Sequence, residues 1–174
     1  MKTRRLGKSG FKVSEIGLGC WQLGGDFGPL NEQQAKQILD EASEQGINFW
    51  DTADVYGDGR SESLIAQWRK EHTNQELKVA TKVGRSGRLF PDKFTKQQVQ
   101  SDIQASAKRL GVECIDLIQL HCIPPQILRD GDIFSWLQDF KRQGLIEHYG
   151  ASVETIEEGL SCLQDSGLAS LQII

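Results

Sequence analysis

The chain is poor in residues that staple, rigidify or anchor a protein: its 174 residues include four cysteines, four prolines, two tyrosines and one methionine. Cys20, Cys114, Cys122 and Cys162 form no CxxC pair and lack the dense spacing of a secreted disulfide scaffold, so they read as reduced, mostly packing thiols. His121 beside Cys122 does not make a metal pair, because strand neighbours point to opposite faces and no second ligand pair supports them; no metal site is expected. Positive charge is not in excess either. The formal charge is -4 and the pI about 5.4, which argues against nucleic acid or an anionic membrane surface as a partner. No apolar run is long enough to span a bilayer, and the basic start MKTRRLGKSGFKV has no continuous apolar segment behind it. The expectation is a cytoplasmic protein without a secretory signal.

Two phosphate-binding motifs are missing as well. The glycines of GLGCWQLGG, at 17, 19, 24 and 25, do not fit GxGxxG, and Gly7-Lys8-Ser9 resembles a P-loop tail whose earlier glycine would fall at Lys2. What the sequence does contain is an alternation of short apolar runs with helical patterns. RRLGKSGFKV reads as a β-hairpin around Gly7-Lys8-Ser9-Gly10. Strands are expected at SEIGLGC, Ile47 to Trp50, LKVATK, IDLIQLH, LIEHYG and LASLQII. Between them, helices are expected after Asn31 (Ala35, Ile38, Leu39, Ala42), from about Ser61 (Leu64, Ile65, Trp68), and after Thr95 with Gln98 at capping-box spacing (Val99, Ile103, Leu110). Two more are marked by Ile133, Leu137 and Phe140, stopped at Gly144, and by Ile156, Leu160 and Leu163. Near-continuous apolar strands alternating with helices imply parallel β/α units, closed as a barrel or open as a doubly wound sheet.

The polar residues favour the barrel. Asp51 follows INFW, Lys82 follows KVAT and His121 follows DLIQL, so three successive strands end in ionisable side chains, and a barrel gathers those ends around one axis. Taken singly, a strand-end histidine is a packing residue, an Asp-Lys pair is structural, and a tyrosine before glycine is a turn. Together, and with Tyr56 on the first intervening loop, they can do chemistry. A phenol has a pKa of about 10; an ammonium about 4 Å away would favour the phenolate by at most roughly 4 kcal/mol at an effective dielectric near 20. Lys82 is therefore expected to make Tyr56 a competent acid, with Asp51 aiming Lys82 and a neutral His121 orienting a substrate carbonyl. Asp54, the other carboxylate of DTADVYG, has no role here and is expected in a solvated loop position.

DTADVYGDGRSE, VATKVG and LIQLH resemble, in order and spacing, the Asp, Tyr, Lys and His segments of the aldo-keto reductases, and the resemblance extends over essentially the whole chain. It implies an α/β fold of the (β/α)8 TIM-barrel type with an N-terminal hairpin plugging the floor, and NADPH-dependent reduction of aldehydes or ketones. By the resemblance, Tyr56 is the general acid, Lys82 and Asp51 its tuning pair, and His121 the residue that orients the carbonyl. Cys20 and Trp21 fall on the loop that meets cofactor and substrate, and Asp51 also touches the nicotinamide ribose. Ser152 of YGASV and Gln172 of LQII match the pair that binds the nicotinamide carboxamide, although Val153 stands where many members have asparagine. The plainer readings are that Cys20 and Trp21 pack, Ser152 caps the following helix, and Gln172 faces an exposed edge.

A complete barrel takes about 250 residues, so residues 1-174 are expected to be a single domain holding about six of eight strands, truncated after the sixth. By the resemblance, the missing part includes the aromatic platform for nicotinamide and the basic loop for the adenosine phosphate. The chain reads as a fragment of a longer enzyme, ahead of a truncated gene product or half of a self-associating assembly, and alone it is expected to hold cofactor weakly or not at all and so to be inactive. Its open edges are a route to self-association. Two other functions fit less well. One is a non-catalytic barrel subunit binding a protein partner, as in the family's potassium-channel-associated members; the other is a Schiff-base enzyme using Lys82, which Asp51 would disfavour by keeping the amine protonated.

Overall fold

Parallel strands need long crossovers, and this chain supplies a helix for every one in its sheet. In a computed structural model describing residues 1-130 and 132-173, β1 (Thr3–Arg5) and β2 (Lys12–Ser14) form an antiparallel hairpin. Six strands then pair in parallel and in chain order: β3 (Leu18–Gly19), β4 (Phe49–Asp51), β5 (Lys78–Val83), β6 (Ile115–His121), β7 (Ile146–Val153) and β8 (Ser170–Ile173). This is the six-stranded part of the expected barrel, with its hairpin; Ile174, the last residue of the expected final strand, lies outside the described residues.

The helices start where their caps dictate. The Asn31 side chain accepts from Gln34 N–H in a full capping box that opens α1 (Glu32–Glu44), and Thr95 accepts from Gln98 N–H to open α3 (Lys96–Leu110). Between them, α2 (Arg60–Glu71) buries Leu64, Ile65 and Trp68. Trp68 stacks obliquely on Trp50 of β4, ring centroids 4.6 Å apart, while its indole N–H reaches Asp40 of α1 at 2.8 Å. With Leu39, Ile103, Leu110 and Phe140, these residues build the layer between helices and sheet, where each fully buried aliphatic side chain contributes about 1.5–3 kcal/mol.

Several details differ from the sequence reading, the first barrel strand among them, which is Leu18–Gly19 rather than the whole of SEIGLGC. The second barrel strand runs Phe49–Asp51 rather than 47–50, which puts Asp51 within the ladder. A helix that the sequence reading lacks, α4 (Pro125–Asp130), precedes α5 (Asp132–Arg142). β7 does not stop at Gly150 but continues to Val153. A Cβ at Gly150 would lie 2.6 Å from Ser170 Oγ and 2.7 Å from its carbonyl oxygen, so the glycine admits β8 rather than ending β7. Ser152 consequently lies inside the strand, and the cap of α6 (Ile156–Cys162) is Thr155, in a capping box with Glu158. That helix turns Gly159 and Cys162 inward and leaves Ile156 and Leu160 exposed, together with Leu163 just beyond it.

Candidate active site

The carboxyl ends of β4 to β8 bring one polar side chain each to the same mouth. Asp51 ends β4 and His121 ends β6, while register pairs His121 with Ser152 and Ser152 with Gln172, so those three form a row across β6, β7 and β8. Lys82, on β5, is 2 % exposed. Its Nζ donates to Asp51 Oδ1 at 2.6 Å, to the Thr52 carbonyl at 2.8 Å and to Tyr56 Oη at 3.4 Å. Gln172 closes the ring: its Nε2 donates to Asp51 Oδ2 at 2.9 Å, and its Oε1 accepts from Gln119 at 3.3 Å.

Tyr56 stands on the turn between β4 and α2, clamped from both sides. The Asp54 N–H donates to the Lys82 carbonyl, and the Tyr56 N–H to that of Ala53. On the other side, the 3-10 turn Trp21–Gly24 lies so close that a Cβ on Gly57, whose φ is +59°, would sit 2.3 Å from the Gly24 carbonyl oxygen. That contact stacks the Trp21 ring on Tyr56, centroids 5.7 Å apart, while His121 meets Tyr56 edge-on at 5.8 Å. Trp21 is in turn fixed by Asp26, which accepts its indole N–H at 2.9 Å, and by the edge of Phe27.

These side chains open on a cavity of about 560 Å³ lined by Trp21, Tyr56, Lys82, His121, Ser152 and Gln172. Exposed Asp26, Arg85 and Glu154 line it too, so its rim is of mixed sign. His121 Nδ1 is buried without a hydrogen-bond partner among the described residues. Burial, then the charges of Lys82 and Arg85, push the imidazole down to about 3, so the ring is neutral at pH 7.

For Tyr56 the balance runs against the sequence expectation. Burial of the phenol outweighs the pull of Lys82, and Asp51 adds to the rise, so its pKa lies above the usual tyrosine value. At 3.4 Å and an effective dielectric of about 20 the ammonium alone would contribute about 5 kcal/mol toward phenolate. Burial overrides it, and Asp51, 2.6 Å from the same nitrogen, opposes a smaller part.

Of the positions singled out by sequence, Asp51, Tyr56, Lys82, His121, Trp21, Ser152 and Gln172 converge on this mouth, and Gln172 faces Asp51 rather than an empty edge. Cys20 does not reach it. Its side chain is fully buried, with the thiol pushed well up by burial and its hydrogen bond given to the Leu18 carbonyl. Asp54 is a correction of the opposite kind: expected in solvent, it is 8 % exposed, packed under the Tyr56 turn and facing Glu62 and Asp102.

The Aldo/keto reductase family model matches residues 15–173. The chain belongs to the aldo/keto reductase family. It is 34 % identical over 152 residues to the Glycine max protein named "Probable aldo-keto reductase 1", covering 85 % of this chain and 44 % of that one. To the "NADH-specific methylglyoxal reductase" of Escherichia coli (strain K12) it is 31 % identical over 169 residues, 87 % of this chain and 52 % of the other. Among solved structures, an aldo-keto reductase from Bacillus halodurans in its holo form superposes with a TM-score of 0.84 at 32 % identity, over 99 % of this chain and 57 % of that one. The chain thus spans about half the length of the curated relatives it matches. Arg85 is a feature of this aldo/keto reductase site that the sequence reading passed over. Its guanidinium lies over the Phe90 ring and donates to the Cys122 carbonyl, contacts that strand periodicity does not encode.

Proposed function

We propose that this aldo/keto reductase chain carries the acid half of a carbonyl reductase: Tyr56 protonates the oxygen of an aldehyde or ketone while a nicotinamide dinucleotide, NADPH first among those to be tested, serves as hydride donor. The observation that carries the reading is the Asp51–Lys82–Tyr56 chain, with contacts of 2.6 and 3.4 Å, opening beside a neutral His121 in one cavity.

The residues fit the nicotinamide-ribose end of such a cofactor. Ser152 Oγ, the Gln172 amide and Asp51 Oδ2 offer donors and acceptors suited to a carboxamide and a ribose hydroxyl, and Trp21 offers a flat wall. A diphosphate would find less: Lys82 is already paired, and Arg85 shares the rim with Asp26 and Glu154. When bound, the cofactor supplies hydride to the carbonyl carbon. His121 holds the carbonyl oxygen by a hydrogen bond from its neutral ring, and Tyr56 Oη gives its proton to the oxygen as charge develops there. Its raised pKa keeps the phenol protonated at neutral pH, ready to donate. Lys82 stabilises the phenolate left behind, and Asp51 with the Thr52 carbonyl keeps the ammonium aimed. Against a purely non-catalytic subunit stands the burial of Lys82 beside a tyrosine hydroxyl, an arrangement that packing alone does not require.

On this reading residues 1-174 act as one unit of a (β/α)8 barrel in the cytoplasm, and the outer edges of β3 and β8, each with one neighbour in the described sheet, offer routes to self-association. The test is aldehyde- and ketone-dependent oxidation of NADPH and of NADH, by the chain itself and by a version extended with two further β/α units. Turnover by the extended protein is expected. Inactivity of both forms across varied carbonyls overturns the reading, and faster oxidation of NADH than of NADPH overturns the cofactor preference alone.

A further inference from the structure

Asp54 is a buried carboxylate under the site that, unlike its acidic neighbours, has no arginine or hydroxyl of its own among the described residues; the Val55 backbone N–H is the donor beside it. It lies two residues before Tyr56, 8 % exposed, and its Oδ1 is sealed from solvent without a partner among the described residues. The two acids facing it are provided for. Glu62 of α2 accepts from Arg109 of α3 at 2.6 Å and from the Thr81 hydroxyl of β5 at 2.5 Å. Asp102 of α3 has Arg88 and Ser86 Oγ at 2.8 Å and the Gln98 amide at 2.9 Å. Both arginines are thereby committed to other acids. A buried carboxylate without a cation of its own takes up a proton rather than remain an anion. Burial first, then Glu62 and Asp102, push the Asp54 carboxyl up to about 7, with Arg109 and the Val55 backbone N–H pulling the other way.

The backbone ties this acid to the site. Asp54 N–H donates to the carbonyl oxygen of Lys82 at 3.3 Å, and the Tyr56 carbonyl accepts from Ser61 N–H at 3.3 Å, so the turn hangs between β5 and α2. We propose that Asp54 is a positioning residue for Tyr56: its neutral carboxyl seats the 54-56 turn on β5, and its ionisation against Glu62 and Asp102 displaces that turn and carries the Tyr56 hydroxyl away from Lys82. The groups expected to meet substrate titrate elsewhere, Tyr56 above its ordinary value and His121 at about 3. Asp54 therefore places a neutral-range titration beneath a site whose proton donor and orienting ring have none. The inference rests on the proposed reductase reading for what Tyr56 does, and on geometry alone for where Tyr56 sits.

The experiment is an NMR titration of the full chain from pH 5 to 9, wild type and Asp54→Asn, reading side-chain carboxyl carbons and backbone amides. The Asp54 carbon is expected to titrate with a midpoint near 7, and the Tyr56 and Gly57 amides to move with the same midpoint; in Asp54→Asn that movement is lost. An Asp54 midpoint near 4, or amide movement that persists in the variant, overturns the proposal. The wild-type carboxyl midpoint and its match to the amide midpoint keep the test decisive should the variant fail to fold. If carbonyl reduction is absent while the amides follow Asp54, the reductase reading falls and the positioning of Tyr56 stands.

Discussion

Thr81 and Lys82 are neighbours on β5 and point to opposite faces of the sheet, each into a buried cluster of charge. Behind the sheet, Thr81 donates to Glu62, which also holds Arg109, while Asp102 holds Arg88. In front, Lys82 holds Asp51 and leans on Tyr56. Each sets a buried charged side chain against an opposite charge, but they differ in what is left unpaired. Behind the sheet Glu62 and Asp102 each have an arginine, so those pairs bind α2 to α3 and the β5–α3 loop to α3; Asp54 has none. In front, His121 Nδ1 and the Tyr56 hydroxyl keep hydrogen-bonding capacity that the fold does not fill. Salt bridges alone therefore do not mark this site; unfilled donors and acceptors beside a cavity do.

The largest way to break that contrast is on the rear face. Arg109→Met removes the cation from Glu62, which is 0 % exposed, and leaves a charge whose remaining partner among the described residues is the Thr81 hydroxyl. Removing one member of a buried pair costs about 3–5 kcal/mol. Urea unfolding is expected to show a loss of that size; a loss below about 1 kcal/mol means that Glu62 takes a proton instead, and that the rear cluster is not held by charge.

On the front face the corresponding change is chemical rather than structural. Tyr56→Phe keeps the stack on Trp21 and removes the proton donor, so turnover of an active, extended form is expected to fall by about 10²-fold or more, with thermal stability close to wild type. Unchanged turnover takes Tyr56 out of the acid role. A large loss of stability would place the front cluster with the rear one, as a structural feature.

Much of this was legible in the chain because strand ends are legible. IDLIQLH is β6 to the residue, and Asp51, Lys82 and His121 sit at the strand ends that the apolar runs predict. What escaped depends on tertiary contact. The six-residue α4 is too short to display a period. Gly150 looks like a stop until β8 is seen against it. Asp54 looks solvated because glycines follow it, while the helices that cover it begin at residues 60 and 96. The sign of the Tyr56 shift was missed for a related reason: the Lys82 distance could be guessed from spacing, whereas burial of the phenol and the strength of the Asp51 contact could not.

The smallest expected effect is an absence of change, and it separates the two faces most sharply. His121 is held near 3 by burial and by Lys82 and Arg85, below the ordinary histidine value of about 6.5. A depressed histidine leaves stability untouched above about pH 6.5 and subtracts from it as pH falls toward 3, because the unfolded chain takes a proton that the folded one refuses. Across the titration of Asp54 behind the sheet, centred near pH 7, the ring nitrogens of His121 should therefore be silent in 15N spectra, and they should stay silent down to pH 5. A His121 midpoint near 6.5 would mean that water reaches the ring and that the neighbouring cations are screened. The front cavity would then hold a charged imidazolium at mildly acidic pH, and a neutral ring could no longer be the group that holds the carbonyl there.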